Sequence, residues 1–392
     1  MPPKHFKLLK TSGFARAGEL CTPHGIIPTP IFLPVGSQAN VRTLTPDEIR
    51  QDGFNMILAN TYHLYLRPGI DIIGKLGGLH RFMAWDGAVL TDSGGYQVFS
   101  LAPFCKITDE GVAFRSHIDG SEHFYSPEVA MDVQRALGVD IAMPLDHVVP
   151  GDAPLDATRD AAERTLRWYA RCREAASDLT TFAIVQGGSH SDLRRWHARE
   201  LAALDAPGYS VGGLSVGESK ETMLAMMEIA NAELPLTRPR YLMGVGSPED
   251  LVEGIARGID MFDCVLPTRL GRNGSLFTDD GRANVRNARY REDPGPIDPG
   301  CDCPLCTRFS MAYLHHLFRN EELLGYRLAS IHNIRYLIRL TERAHAAIAS
   351  GRFNAFAREF LGRYRPSDAA VRAEQKGKWL AQSGYEEEQE RS

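Results

Sequence analysis

Eight short apolar runs constrain this chain more than any other feature. They occupy residues 31–36, 56–62, 89–95, 140–146, 182–187, 209–215, 241–246 and 261–267, each bounded by glycine, proline or polar residues. Near-continuous apolar runs of this length read as strands buried on both faces, the pattern of a parallel sheet. Parallel strands need crossover connections, and the intervening stretches supply them, with helical periodicity over 157–177 and 220–233. Two connections open with a serine N-cap and a proline at the first helical position, Ser126-Pro127-Glu128 and Ser247-Pro248-Glu249-Asp250. Eight strand–helix alternations predict an α/β fold, a (β/α)8 TIM barrel.

A barrel of this kind builds its site at the C-terminal ends of its strands. Asn60, Asp92, Asp146, Gln186, Gly213 and Asp263 all fall at or near such ends. A single aspartate there could equally cap the next helix, but three carboxylates converging on one mouth point to an enzyme. Asp92 and Asp263 end the third and eighth runs, so both can face the barrel axis. Such a pair suits nucleophilic attack with general acid/base transfer, the logic of glycosyl transfer with retention. Asp146 and Gln186 could read the edge of a heterocycle. Tyr96, after the pair Gly94-Gly95, is expected exposed at the mouth. Tyr96 and Met243 could cover the two faces of a flat ring, although Met243 taken alone reads as core packing.

Beyond the last run the chain changes character. Cys301, Cys303, Cys306 and, after a gap, His332 form a Cys3His set in a turn-rich stretch leading into a helix. That donor set suits tetrahedral zinc, and four protein ligands leave no open position, so one structural Zn2+ is expected. Seven cysteines, an odd number, and an N-terminus without an apolar signal core argue against disulfides and for the cytoplasm. No apolar run approaches the ~18 residues that span a membrane. Arg269, Arg272, Arg282, Arg286, Arg289 and Arg291 crowd the segment between Asp263 and the cysteines, with Asp279 and Asp280 as the nearby acids. The whole chain has a net charge of −5 over 392 residues, which excludes general coating of nucleic acid. One basic face fits phosphate contacts to a polynucleotide. The expected organisation is a catalytic barrel over 1–365, including an arginine-rich and zinc-binding insertion at 268–350, and a polar tail over 366–392.

These features together resemble the tRNA-guanine transglycosylase family. The matching stretches are Thr91-Asp-Ser-Gly-Gly-Tyr-Gln-Val-Phe-Ser, Ile184-Val-Gln-Gly, Val211-Gly-Gly-Leu, Tyr241-Leu-Met-Gly-Val-Gly, Asp260-Met-Phe-Asp-Cys-Val-Leu-Pro-Thr-Arg and the cysteine cluster. They run in family order over nearly the whole chain. The resemblance implies a barrel with a zinc-binding subdomain inserted after the last strand, acting as a homodimer. It implies that Asp263 attacks the ribose C1′ of guanosine 34 in a tRNA anticodon loop, releasing guanine and forming a covalent intermediate. Asp92 then deprotonates the incoming 7-deazaguanine. Ser93, Asp146, Gln186 and the backbone at Gly213 and Leu214 would hold the base, with Tyr96 and Met243 on its faces. Arg269, Arg272, Arg286 and Arg289 would contact the anticodon loop. No organic cofactor is implied.

One departure bears on the incoming base. Bacterial members continue Glu-Cys after the aspartate that stands here at 146, whereas this chain reads His147-Val148-Val149. The valine resembles the eukaryotic catalytic subunit, which accepts queuine, although Val216 stands where that enzyme has glycine. The pocket is thus expected to take preQ1 (7-aminomethyl-7-deazaguanine), queuine, or both. A non-catalytic tRNA-binding subunit is disfavoured because both aspartates are kept. No further RNA-binding domain follows the barrel, as an archaeal-type relative would have, and no His-x-His pair at a strand end favours a metal-dependent hydrolase.

Overall fold

The computed structural model describes residues 5–101 and 105–366, so nearly all of the expected polar tail lies outside the described residues. The eight predicted runs form eight parallel strands: β1 (Ile31–Gly36), β2 (Met56–Asn60), β3 (Ala88–Asp92), β4 (Ile141–Ala142), β5 (Ala183–Val185), β6 (Tyr209–Val211), β7 (Arg240–Leu242) and β8 (Met261–Cys264). Their order is β4-β3-β2-β1-β8-β7-β6-β5. A parallel bridge between Ala142 and Thr181 joins the two ends and closes the barrel. There the Ala142 N–H donates to the Thr180 carbonyl at 3.0 Å and the Phe182 N–H to the Ala142 carbonyl at 3.1 Å. The strands are shorter than the runs that announced them. β6 ends at Val211 because Gly213 and Ser215 take φ values of +61° and +62°, outside the β region.

Alternation along these strands decides what meets inside the barrel. Leu33, Leu58, Leu90, Ile184, Tyr241 and Met261 share one interior cluster, while their neighbours Phe32, Ile57, Val89, Val185, Leu242 and Phe262 join the layer beneath the helices. Two residues beyond an inward side chain is inward again. That parity sends Asn60, Asp92, Gln186, Met243 and Asp263 toward the axis at the C-terminal mouth.

Both serine caps form as read. Ser126 accepts from the Val129 N–H before helix Pro127–Leu137, and Ser247 from the Asp250 N–H before Pro248–Ala256. Three antiparallel additions went unread in the sequence, two of them three-stranded sheets and one a hairpin beyond β8. Phe6–Ser12, Ala15–Thr22 and Gly25–Thr29 make a three-stranded sheet that floors the barrel, with Phe6, Leu20 and Ile27 in the interior cluster. Arg16 pairs with Asp260 at 3.2 Å and His24 with Asp140 at 2.7 Å, each aspartate standing just before its strand. A second sheet, Cys105–Ile107, Val112–Arg115 and Glu122–Tyr125, is inserted after β3.

After β8 come helix Leu266–Arg272, a hairpin of Ser275–Thr278 with Gly281–Asn284, two short helices, Pro304–Arg308 and Met311–Arg319, and the long helix Leu323–Ala349. Helix Leu266–Arg272 lies so close to the long helix that a Cβ at Gly271 would stand 2.8 Å from the Ser330 nitrogen. Among the described residues no helix is long and apolar enough to cross a membrane.

Candidate active site

The strand-end residues line one cavity of about 240 Å³ at the C-terminal mouth. Asp92, Ser93, Tyr96, Asp146, Gly213, Leu214, Met243 and Asp263 all belong to its wall, as do Val148 and Val216. Tyr96 is 48% exposed there, as its place after two glycines predicts. Met243 lines the cavity while packing against the interior cluster. Gln186 packs against Gly213 and Asp146 of this wall. Its Nε2 donates to Asp146 Oδ2 at 2.7 Å, and Ser93 Oγ lies 3.5 Å from Asp146 Oδ1.

Asp92 and Asp263 sit in different environments. Asn60 and Asp92 are register partners across β2 and β3, so the Asn60 amide donates to Asp92 Oδ2 at 2.5 Å and the Thr61 N–H to Oδ1 at 3.0 Å. Asn60 also caps helix Thr61–Leu66, so helix capping and site building coincide at this residue. Burial, opposed by the Thr61 N–H and aided by the charge of Asp263, pushes the Asp92 carboxyl up to about 7. Asp263 is raised by burial too, but the Gly244 N–H and the Tyr241 hydroxyl oppose that shift. Both bond Oδ1, at 2.7 Å and 2.5 Å. Oδ2 has no protein donor among the described residues. Asp263 is thus held by two donors on one oxygen, with the other turned free of protein donors, whereas Asp92 is held on both oxygens and has a carboxyl that titrates near neutral pH. Burial also raises Asp146 to about 6, with Gln186 and Ser93 acting against it.

Tyr241 was missed as a functional residue, yet a signal was present. It lies two positions before Met243 on β7 and so shares its inward face. Glu218 was missed for a different reason. Its carboxylate takes the N–H groups of Ser215 and Val216, a turn contact that composition does not reveal.

Cys301, Cys303, Cys306 and His332 meet with all four ligand atoms within 4.8 Å of one another. His332 Nδ1 is 3.5 Å from Cys303 Sγ and 3.3 Å from Cys306 Sγ. The sulfur–nitrogen edge of a tetrahedral zinc site is about 3.6 Å. The His332 Nε2–H donates to the Phe277 carbonyl at 2.7 Å, which leaves Nδ1 as the ligand atom. Buried, thiolate-rich and without an open position, the cluster fits one structural zinc ion. The neighbour of His332 carries its influence toward β8. Asn333 donates to the Pro267 carbonyl at 3.0 Å and accepts from the Phe277 N–H at 2.9 Å.

Arg269 and Arg272 ride on the helix that directly follows Asp263. Arg269 is exposed and Arg272 half-buried, with its Nη1 unpartnered among the described residues. Arg286 and Arg289 stand farther along, over the Phe318 ring at 5.4 Å and the Tyr290 ring at 4.6 Å. Asp279 and Asp280 do not neutralise them. Asp279 pairs with Arg343 at 3.0 Å, and Asp280 with Arg363 at 2.5 Å. Among the described residues the four arginines have no carboxylate partner.

Two buried carboxylates in unlike hydrogen-bond settings at the mouth of a parallel barrel have the make-up of an enzyme site of the nucleophilic and proton-transfer kind. Comparison with known proteins narrows that class. The family described as "Queuine tRNA-ribosyltransferase" matches residues 11–366. The chain is 55% identical over 369 residues to the queuine tRNA-ribosyltransferase of Herpetosiphon aurantiacus, covering 94% of each. It is 56% identical over 361 residues to that of Symbiobacterium thermophilum, covering 91% of this chain and 90% of the relative. For Pelotomaculum thermopropionicum the identity is 56% over 353 residues, 90% of this chain and 95% of the relative. The chain belongs to the queuine tRNA-ribosyltransferase family.

Proposed function

We propose that this chain is a tRNA-guanine transglycosylase, a pentosyltransferase of the queuosine pathway that exchanges guanine 34 in G-U-N anticodons for a 7-deazaguanine. The observation that carries the reading is the asymmetry of the two carboxylates on one cavity. Asp263 Oδ2 attacks the ribose C1′ of guanosine 34 as the bond to guanine N9 breaks. Asp92 supplies a proton to the departing base, then takes the N9 proton of the incoming one, whose nitrogen displaces Asp263 from C1′. Two displacements give retention, and a carboxyl near 7 suits both proton transfers. Ser93, Asp146 and the backbone at Gly213 and Leu214 hold the base, with Gln186 bracing Asp146 and Tyr96 and Met243 bounding the ring. Arg269, Arg272, Arg286 and Arg289 take phosphates of the anticodon loop, their lack of acidic partners supporting that role. The barrel with its insertion at 268–350 is one catalytic domain working in the cytoplasm.

In this reading the chain is a homodimer. Its exposed apolar residues Tyr313, Leu323 and Leu324, 38%, 79% and 41% exposed, offer a surface whose Leu323→Lys variant should sediment as a monomer. Val148 and Val216 line the cavity, which supports direct queuine salvage as a second reading beside preQ1. Measuring kcat/KM for preQ1 and for queuine on one tRNA with G34 separates the two. Exchange of labelled guanine into that tRNA is expected. A chain that binds the tRNA without any exchange would be a non-catalytic subunit, and the proposal would fail.

A further inference from the structure

Helix Ser191–Ala203 follows β5, and two of its buried side chains reach the backbone of the cavity wall. Arg194 is 0% exposed and has no ion-pair partner among the described residues. Its guanidinium donates to carbonyls instead. Nε and Nη2 reach the Gly188 oxygen at 3.1 and 2.8 Å, and Nη1 reaches the Gly212 oxygen at 3.1 Å and the Val185 oxygen at 3.4 Å. His197, three residues on and also 0% exposed, accepts the Gln186 N–H on Nδ1 at 2.8 Å. That bond needs a neutral ring with its proton on Nε2, and burial with the Arg194 charge beside it pushes His197 down to about 3.

A guanidinium buried without a direct ion pair is costly, with the Glu218 charge acting on it only through space, and packing alone would be served by an aliphatic chain. What Arg194 secures is direction. In a trans peptide the C=O and N–H point opposite ways. With the Gly212 carbonyl turned out to Arg194, the Gly213 N–H faces the cavity that Gly213 lines. That N–H has no partner among the described residues, whereas those of Ser215 and Val216 are taken by Glu218. On the other side His197 fixes the Gln186 backbone, and Gln186 holds Asp146.

We infer that Arg194 and His197 are positioning residues for base selectivity, aiming the Gly213 N–H and the Asp146 carboxylate as a donor and an acceptor complementary to the edge of a 6-keto purine. The wall so set rejects a purine lacking the 6-oxygen, because the aimed N–H is then left unpaired. This inference rests on the transglycosylase reading and deepens its base site.

The test compares guanine with 2-aminopurine, the same ring without the 6-oxygen, by calorimetry on the whole protein without tRNA. The wild type is expected to favour guanine by at least about tenfold. Arg194→Met should lose most of that preference. Its KM for guanine in exchange should rise about tenfold while kcat changes less than about threefold. Arg194→Lys, which keeps the charge and one donor, should lose part of the preference and reads the same ratio should the methionine variant not fold. A folded variant of either kind with an unchanged guanine to 2-aminopurine ratio, even at lowered thermal stability, makes Arg194 purely structural and overturns the inference. Selective guanine binding by a wild type that exchanges none into tRNA would sink the transglycosylase reading and leave the positioning role standing.

Discussion

Asp146→Asn is expected to stabilise the protein above neutral pH while removing its grip on the base. Asp146 is 4% exposed, and burial lifts its carboxyl from 3.8 to about 6. A folded value above the unfolded one means the folded state resists losing the proton. Below about pH 4 both states are protonated and Asp146 costs nothing. Between about pH 4 and pH 6 the unfolded chain ionises first, and stability falls as pH rises through that window. Above it the cost is constant, roughly two units at about 1.4 kcal/mol each, or about 3 kcal/mol. Asparagine stays neutral throughout. Its oxygen can accept from Gln186 and its amide can donate to Ser93 Oγ, so both neighbours of Asp146 keep a partner. Urea denaturation of both proteins at pH 4, 6 and 8 reads the effect. The variant should match the wild type at pH 4 and exceed it by about 1–3 kcal/mol at pH 8, with guanine binding reduced at least about a hundredfold. A variant less stable than wild type at pH 8, or a gain independent of pH, would refute the reasoning.

Other consequences are as concrete. Tyr241→Phe removes one of two donors on Asp263 Oδ1, so kcat should fall about ten- to a hundredfold with little change in KM for tRNA. Cys303→Ser should abolish zinc in metal analysis and lower the unfolding midpoint, because structural zinc binding is worth about 10–16 kcal/mol in small peptides. Proteolysis should then begin within the insertion. Removing both Arg269 and Arg272 should weaken tRNA binding and flatten the dependence of log K on log salt by roughly two. An unchanged salt slope would remove them from the phosphate contacts.

Strand number, strand order and the zinc ligands were legible because each rests on a local pattern. Eight apolar runs and a Cys3His spacing survive without knowledge of the fold. The meeting of Asp92 and Asp263 on one cavity was legible for the same reason, since parity within β3 and β8 fixes where both side chains point. What escaped depends on distant pairing. Arg194 looks like a surface residue on an amphipathic helix until the Gly188 and Gly212 carbonyls arrive from two other loops. The floor sheet was unreadable because its short strands alternate weakly, with Phe6–Ser12 mostly exposed. The bond from Gln186 to Asp146 was equally unreadable, since it joins the ends of two strands forty residues apart.

The most direct test of the central claim is to trap the intermediate. Wild-type protein, incubated with tRNA carrying G34 and then denatured, should run as a protein–tRNA adduct that a 7-deazaguanine resolves. Asp263→Asn should give no adduct, while Asp92→Asn, with its nucleophile intact, should still bind the tRNA and exchange at a small fraction of the wild-type rate. An adduct of undiminished yield from Asp263→Asn would contradict the account.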